Sequence, residues 1–179
     1  MGCFSPETSI AMADGTSKAI VNIKPGDLVL NPVTKKGVRV KYPTMGPEAI
    51  PMWKIGFGTA AVVVTEGHPM VVSNGNQESE WTALSGLFLR SGLRNAPKVK
   101  QPESFDIRQA RNLKVGDLVL AADGEYHAVN LVQQLPVAKD QVVINLMLDV
   151  DSAEMRDHML LADGVVTGDL YLQERLEKK

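Results

Sequence analysis

Cys3 is the only cysteine in the sequence, and it stands ahead of Phe4 and a polar loop near the start. Its residue type admits two readings. One is an incidental small hydrophobe. The other is a nucleophile whose sulfur attacks the carbonyl carbon of Gly2, passing through a cyclic tetrahedral adduct to a thioester and a freed amine. That chemistry makes three demands. The thiol must lose its proton, donors must meet the developing oxyanion, and an acid must protonate the departing amine. His68, within Thr65-Glu66-Gly67-His68-Pro69, is the natural acid. Pro69 biases it away from helix and Gly67 permits a bend after the apolar run ending at Val64, so the imidazole is expected at the mouth of a strand. Thr65 offers its hydroxyl toward the same carbonyl, or its backbone amide to polarise the scissile bond. A turn histidine before proline is also common as a purely structural feature.

His158 precedes an apolar run and the Asp163-Gly164 turn, and it is the second candidate site group. His127, in Tyr126-His127-Ala128, reads as a surface strand residue. A metal site built from the three histidines is the weaker proposal, because none has the close helical spacing of zinc ligands and no carboxylate motif accompanies them. No metal or cofactor is expected. A single cysteine also excludes an internal disulfide framework.

Strands must position these residues. Short runs rich in Val, Ile and Leu recur at Ala19–Ile23, Leu28–Leu30, Val38–Val40, Ala61–Val64, Met70–Val72, Leu118–Leu120 and Val142–Leu148. Between them Asp14-Gly15, Asn74-Gly75, Asp123-Gly124 and Asp163-Gly164 offer the positive φ angles of tight hairpin turns. Helix is expected only as a minority, over Pro102–Leu113 and in the charged tail from Tyr171 to Lys179, which could equally be disordered. Asn74–Gln101 lacks periodicity and reads as a long surface excursion.

The eight residues Ile23-Lys-Pro-Gly-Asp-Leu-Val-Leu30 return 90 residues later as Leu113-Lys-Val-Gly-Asp-Leu-Val-Leu120, identical at six positions. In each copy a Gly-Asp turn enters an apolar strand. Two similar halves related by a pseudo-twofold axis is the economical reading.

The 179 residues, 44% hydrophobic, are enough for one core and one domain. A formal charge of -2 leaves no broad basic field, which argues against nucleic acid or an anionic membrane as partner. No apolar run approaches the length of a bilayer span. The opening MGCFSPETS lacks the basic and apolar segments of a secretory signal, and compartment stays open.

Taken together, these pieces resemble the Hint family: inteins, Hedgehog C-terminal domains and bacterial intein-like modules. Cys3-Phe4 with Thr8, Ile10, Asp14-Gly15, Lys18, Ile20, Ile23, Gly26-Asp27 and Val29 is similar to the family's first splicing block. Thr65 to Pro69 is similar to the second, whose threonine and histidine activate the scissile amide. Val143–Leu148 and His158–Asp169 are similar to the last two. The resemblance implies an all-β horseshoe whose chain ends meet near one site. It covers residues 3–169, with residues 1–2 and 170–179 as flanks or tail. It also leaves room for a bacterial parent protein that is secreted or surface-exposed.

Two departures follow from the same comparison. Inteins end in His-Asn followed by Cys, Ser or Thr, whereas the matching positions here are Gly168, Asp169 and Leu170. Leucine has no nucleophilic atom, so ligation of the flanks is blocked, and an ionised aspartate is a poor way into cyclisation. Asn145 stands where many inteins carry an aspartate that assists the first cysteine, a change that weakens one activating group. The closest pattern is a bacterial intein-like domain lacking a downstream nucleophile. It implies an N–S acyl shift at Gly2–Cys3 and N-terminal cleavage or acyl transfer to water, a thiol or an amine, with weak C-terminal cleavage and little or no splicing. The substrate would be the chain's own flanking polypeptide, and the domain a monomer. Two other readings stand beside it. One is a cysteine hydrolase acting in trans through Cys3 and His68; the other is an inactive Hint-fold binding domain.

Overall fold

The computed structural model describes residues 3–68, 70–72, 83–85 and 113–177. The repeated octapeptide turns the chain through the same corner twice. Gly26 (φ 89°) and Gly116 (φ 94°) adopt a left-handed backbone that glycine tolerates without steric cost. Asp27 Oδ2 accepts the Lys24 N–H at 3.0 Å, and Asp117 Oδ2 accepts the Lys114 N–H at 2.8 Å. Each corner then locks onto a valine of a neighbouring strand. Gly26 donates to Val40 O and Gly116 to Val129 O, both at 2.8 Å, while Val40 and Val129 donate back to Asp27 O (2.8 Å) and Asp117 O (2.7 Å). The repeat is thus a repeated hydrogen-bond pattern, the same corner built once in each half of the chain.

The strands are β1 (Ser9–Ala11), β2 (Ser17–Ala19), β3 (Leu28–Leu30), β4 (Gly37–Pro47), β5 (Met52–Phe57), β6 (Ala60–Thr65), β7 (Met70–Val72), β8 (Ala83–Ser85), β9 (Leu118–Leu120), β10 (Tyr126–Gln134), β11 (Val142–Leu148), β12 (Met159–Ala162) and β13 (Val165–Gly168). One sheet runs β2-β1-β12-β13-β7-β9-β10-β5-β6, with β8 paired to β7, and a second runs β11-β4-β3. Phe4 joins them, bridging antiparallel to Val64 of β6 and to Ile144 of β11. Its ring is fully buried with Ile10, Ile55, Val64, Ile144 and Leu146. Burial of this kind stabilises by roughly 1.5–3 kcal/mol per large apolar side chain.

The all-β class holds, with differences in detail. Ala19–Ile23 is not one strand: β2 ends at Ala19 and a 3₁₀ turn follows over Ile20–Asn22. Val38–Val40 is only a fragment of the eleven-residue β4. Of the turn pairs, Asp163-Gly164 has both residues at positive φ (47° and 84°), as a two-residue hairpin between β12 and β13 requires, while Gly15 and Gly124 supply it alone in theirs. Within the expected surface excursion, Ala83–Ser85 pairs with β7 as a strand. Asn74-Gly75, Pro69 and residues 102–112 lie outside the described residues; Leu113 is buried and not helical.

The C-terminal segment forms helix α1 (Leu170–Glu177). It is no loose tail over its first turn: Leu170, Leu172 and Gln173 are buried. Among the described residues no helix is long and apolar enough to cross a membrane.

Candidate functional site

Cys3 and Thr65 lie side by side because the chain start enters as a strand between β6 and β11. Phe4 N–H donates to Ile144 O at 2.8 Å and Ile144 N–H returns to Phe4 O at 3.0 Å; Ser5 N–H donates to Val63 O at 3.2 Å. Continuing that antiparallel register by one residue sets Cys3 opposite both Thr65 and Asn145. The Cys3 N–H, on the nitrogen of the Gly2–Cys3 amide, donates to Thr65 Oγ1 at 2.8 Å. The Thr65 N–H donates to Cys3 O at 2.9 Å, one peptide downstream of the scissile carbonyl toward which the sequence pointed it. Gly2 itself lies outside the described residues.

The Cys3 side chain is 2% exposed and packs with Met52, Val143 and Val63. Burial of this degree suits attack on a carbonyl covalently tethered next to the sulfur, which needs no substrate to diffuse in. It does not suit a hydrolase that must admit a foreign peptide.

His68 follows Thr65 through a turn closed by His68 N–H to Thr65 O at 3.2 Å. Its ring is buried and meets the Phe4 ring at 4.1 Å between centroids, tilted by 56°. One aromatic contact therefore fixes the imidazole beside the residue that follows Cys3. This is the strand-mouth position that the sequence implied.

His158 and Asp169 form a second, wholly buried cluster. His158 ends a 3₁₀ turn (Met155–His158) and Asp169 sits between β13 and α1. His158 Nδ1 lies 2.9 Å from Asp169 Oδ2, and His158 Nε2 lies 2.6 Å from Ser152 O. A carbonyl only accepts, so Nε2 carries a proton. Nδ1 and the carboxyl then share one more. Burial pulls the imidazole toward neutrality, but the Asp169 hydrogen bond and charge, helped by the Ser152 carbonyl, outweigh it and hold His158 above its ordinary value of 6.5. Burial pushes the Asp169 carboxyl up, against the opposing pull of His158. The coupled pair retains its proton more tightly than the separated groups would.

Asp169 is also the N-cap of α1. Its Oδ1 accepts the Leu172 N–H at 3.0 Å and its carbonyl accepts the Gln173 N–H at 3.2 Å, so side chain and backbone alike hold the helix start. Tyr171 stacks on His158 at 4.1 Å, nearly parallel. Gly168 closes β13 opposite Met159, which brings Asp169 N–H onto His158 O at 3.0 Å.

Asn145 stands opposite Cys3 in register and reaches toward the second cluster through Gln173. Its Oδ1 accepts the Leu146 N–H at 2.8 Å and its Nδ2 donates to Gln173 Oε1 at 3.0 Å, both buried. Sequence reasoning passed over Gln173 and the Ser152 carbonyl. The cap residue Asp169 ahead of an apolar-periodic run was a signal for the buried helix; nothing in residue type marks a carbonyl. His127, by contrast, is half-exposed and paired only locally, with Asp123 at 2.8 Å. Among the described residues no group of three or more His, Cys, Asp or Glu side chains is placed to share an ion.

No family model matches the chain, and no curated protein matches it. Solved structures do. A bacterial intein-like domain from Clostridium thermocellum superimposes with a TM-score of 0.65 at 22% identity, covering 94% of this chain and 99% of that one. The gp41-1 intein gives 0.63 at 15% identity, covering 94% and 99%. A DnaB intein from Synechocystis sp. PCC 6803 gives 0.62 at 12% identity, again covering 94% and 99%. The described residues therefore build the all-β Hint fold of inteins and bacterial intein-like domains.

Proposed function

We propose that this domain processes its own backbone by an N–S acyl shift at Cys3, with the polypeptide preceding Cys3 as substrate. The Cys3 thiol passes its proton to His68 and Sγ bonds to the Gly2 carbonyl carbon, so the proton His68 later delivers to the amine is the one it took from sulfur. The carbon–nitrogen bond then breaks and the departing Cys3 amine takes a proton from His68. Water, a small thiol or an amine next opens the thioester, freeing the upstream polypeptide and returning the Cys3 thiol.

The observation that carries this reading is the hydrogen bond from the Cys3 amide N–H to Thr65 Oγ1 at 2.8 Å. A strand-forming amide ordinarily pairs with a carbonyl. Here the one amide that must break has its N–H held by a hydroxyl oxygen, which fixes the orientation of that peptide against β6. Asp169 argues for a durable C-terminal junction. Its carboxylate caps α1 and binds His158, and its carbonyl is tied to Gln173, so cyclisation would have to dismantle the helix start. Leu170 has no nucleophile, so splicing has no acceptor.

The test is a fusion with a foreign protein ahead of Gly2, incubated with and without thiol or hydroxylamine and followed by mass. Cleavage before Cys3 that disappears in Cys3→Ala and falls in His68→Ala is expected. An intact fusion under every condition overturns the reading and favours an inactive binding domain.

A further inference from the structure

The segment after Asp169 reaches back to the chain start through a short route. Ile144 and Asn145 are consecutive on β11. The first exchanges both backbone hydrogen bonds with Phe4, and the second donates its side-chain amide to Gln173 of α1. Side chains alternate along a strand, so Asn145 shares a face with Val143, and Val143 is one of the residues packed on Cys3. The register that sets Cys3 opposite Thr65 also sets it opposite Asn145. The Asn145 amide thus stands across from the reacting residue, and its rotation is held from both ends. Leu146 N–H fixes Oδ1, and Gln173 Oε1 fixes Nδ2.

Gln173 is itself 0% exposed, and its backbone is placed by Asp169, whose carbonyl accepts the Gln173 N–H. An asparagine cannot serve as a base toward the Cys3 thiol as a carboxylate could. What it can offer is a dipole of fixed direction, and a fixed direction requires Gln173.

We propose that Gln173 is a positioning residue for the Cys3 site: by orienting Asn145 it makes the N-terminal acyl shift depend on helix α1, at the far end of the sequence. This rests on the acyl-shift reading above. It gives α1 a role beyond packing, because a helix that follows the last strand of the fold sets the geometry at the first residue of the site.

The experiment uses the full chain with a foreign protein ahead of Gly2 and dithiothreitol as the acyl acceptor, comparing the wild type with Gln173→Leu and Gln173→Glu. Gln173→Leu removes the acceptor for Asn145 Nδ2, and Gln173→Glu retains one. The expected result is a cleavage rate lower by on the order of tenfold in Gln173→Leu and within about threefold of wild type in Gln173→Glu. Thermal unfolding of each variant shows whether it is folded at the assay temperature. If Gln173→Leu is not, the double variant Asn145→Leu/Gln173→Leu replaces the polar pair by an apolar one, which restores packing without an oriented amide. It is expected to fold and to cleave slowly. A Gln173→Leu rate equal to wild type, or a double variant whose rate recovers together with its stability, overturns the proposal and leaves the acyl shift standing. A wild type that cleaves no faster than Cys3→Ala overturns the acyl shift itself.

Discussion

Cys3 and Thr65 hold each other by two hydrogen bonds running in opposite directions, from the Cys3 amide to the Thr65 hydroxyl and from the Thr65 amide to the Cys3 carbonyl. Only the first involves a side chain, so the two contributions separate by mutation. Thr65→Val keeps the strand pairing and removes the hydroxyl. Thiol-induced cleavage of an N-terminal fusion should slow by on the order of 10²-fold, the loss typical when a reacting group is misplaced by about 1 Å. Thr65→Ser should stay within a few-fold of wild type. Equal rates in all three would remove Thr65 from the reaction.

The His158–Asp169 pair predicts how stability changes with pH. His158 is held above 6.5 in the folded state, so its contribution is fully present below 6.5 and is lost as pH rises through the elevated folded value. The Asp169 carboxyl, also raised, carries the same sign. Thermal unfolding followed from mildly acidic to alkaline buffer should therefore show a falling midpoint, and His158→Gln should flatten that slope. A midpoint rising over the same interval would contradict the assignment.

Replacing Asp169 separates capping from charge. Asp169→Ala loses the N-cap, worth about 1 kcal/mol, and leaves His158 buried without its partner, a loss of about 3–5 kcal/mol where such a pair is broken. Urea unfolding should show a drop of at least about 3 kcal/mol. Asp169→Asn keeps a good cap and introduces a side chain able to cyclise. The junction with Leu170 should nonetheless survive prolonged incubation, since the Asp169 carbonyl stays tied to Gln173; rapid release of the C-terminal segment, seen by mass, would show that the helix start exerts no restraint.

The two corners of the repeat should respond alike. Gly26→Ala and Gly116→Ala each force a side chain into the left-handed region at nearly the same φ, 89° and 94°, with no neighbouring atom within 4 Å of the new methyl. Each should cost roughly 1–2 kcal/mol by chemical denaturation, from backbone strain alone. A large inequality would mean that the halves are alike in path but not in energetic weight.

What the residues disclosed in advance followed from local chemistry. The placement of Thr65 beside Cys3 and of His68 just past β6 was legible from the resemblance of their two blocks and the Gly67 and Pro69 turn signal, and the doubled Gly-Asp corner was legible because its side chains bond within four residues. The ribbons β4 and β10 were not: most of their residues are exposed or half-buried, so apolar periodicity marks only a fragment of each. Gln173 stayed hidden for a different reason. Its side chain accepts from Asn145, 28 residues away in sequence, and no local pattern announces a bond of that range.

Phe4, fully buried between Val64 and Ile144, anchors the chain at the residue immediately after Cys3. A break before Cys3, the step proposed above, leaves every residue of the hydrogen-bond network named here on the domain's side of the cut. The spent protein should be the same folded object as the one that had yet to react, with a free amine where the amide had been. In the proposed reaction the direction has to come from the acceptor that opens the thioester, and each molecule can make that exchange only once.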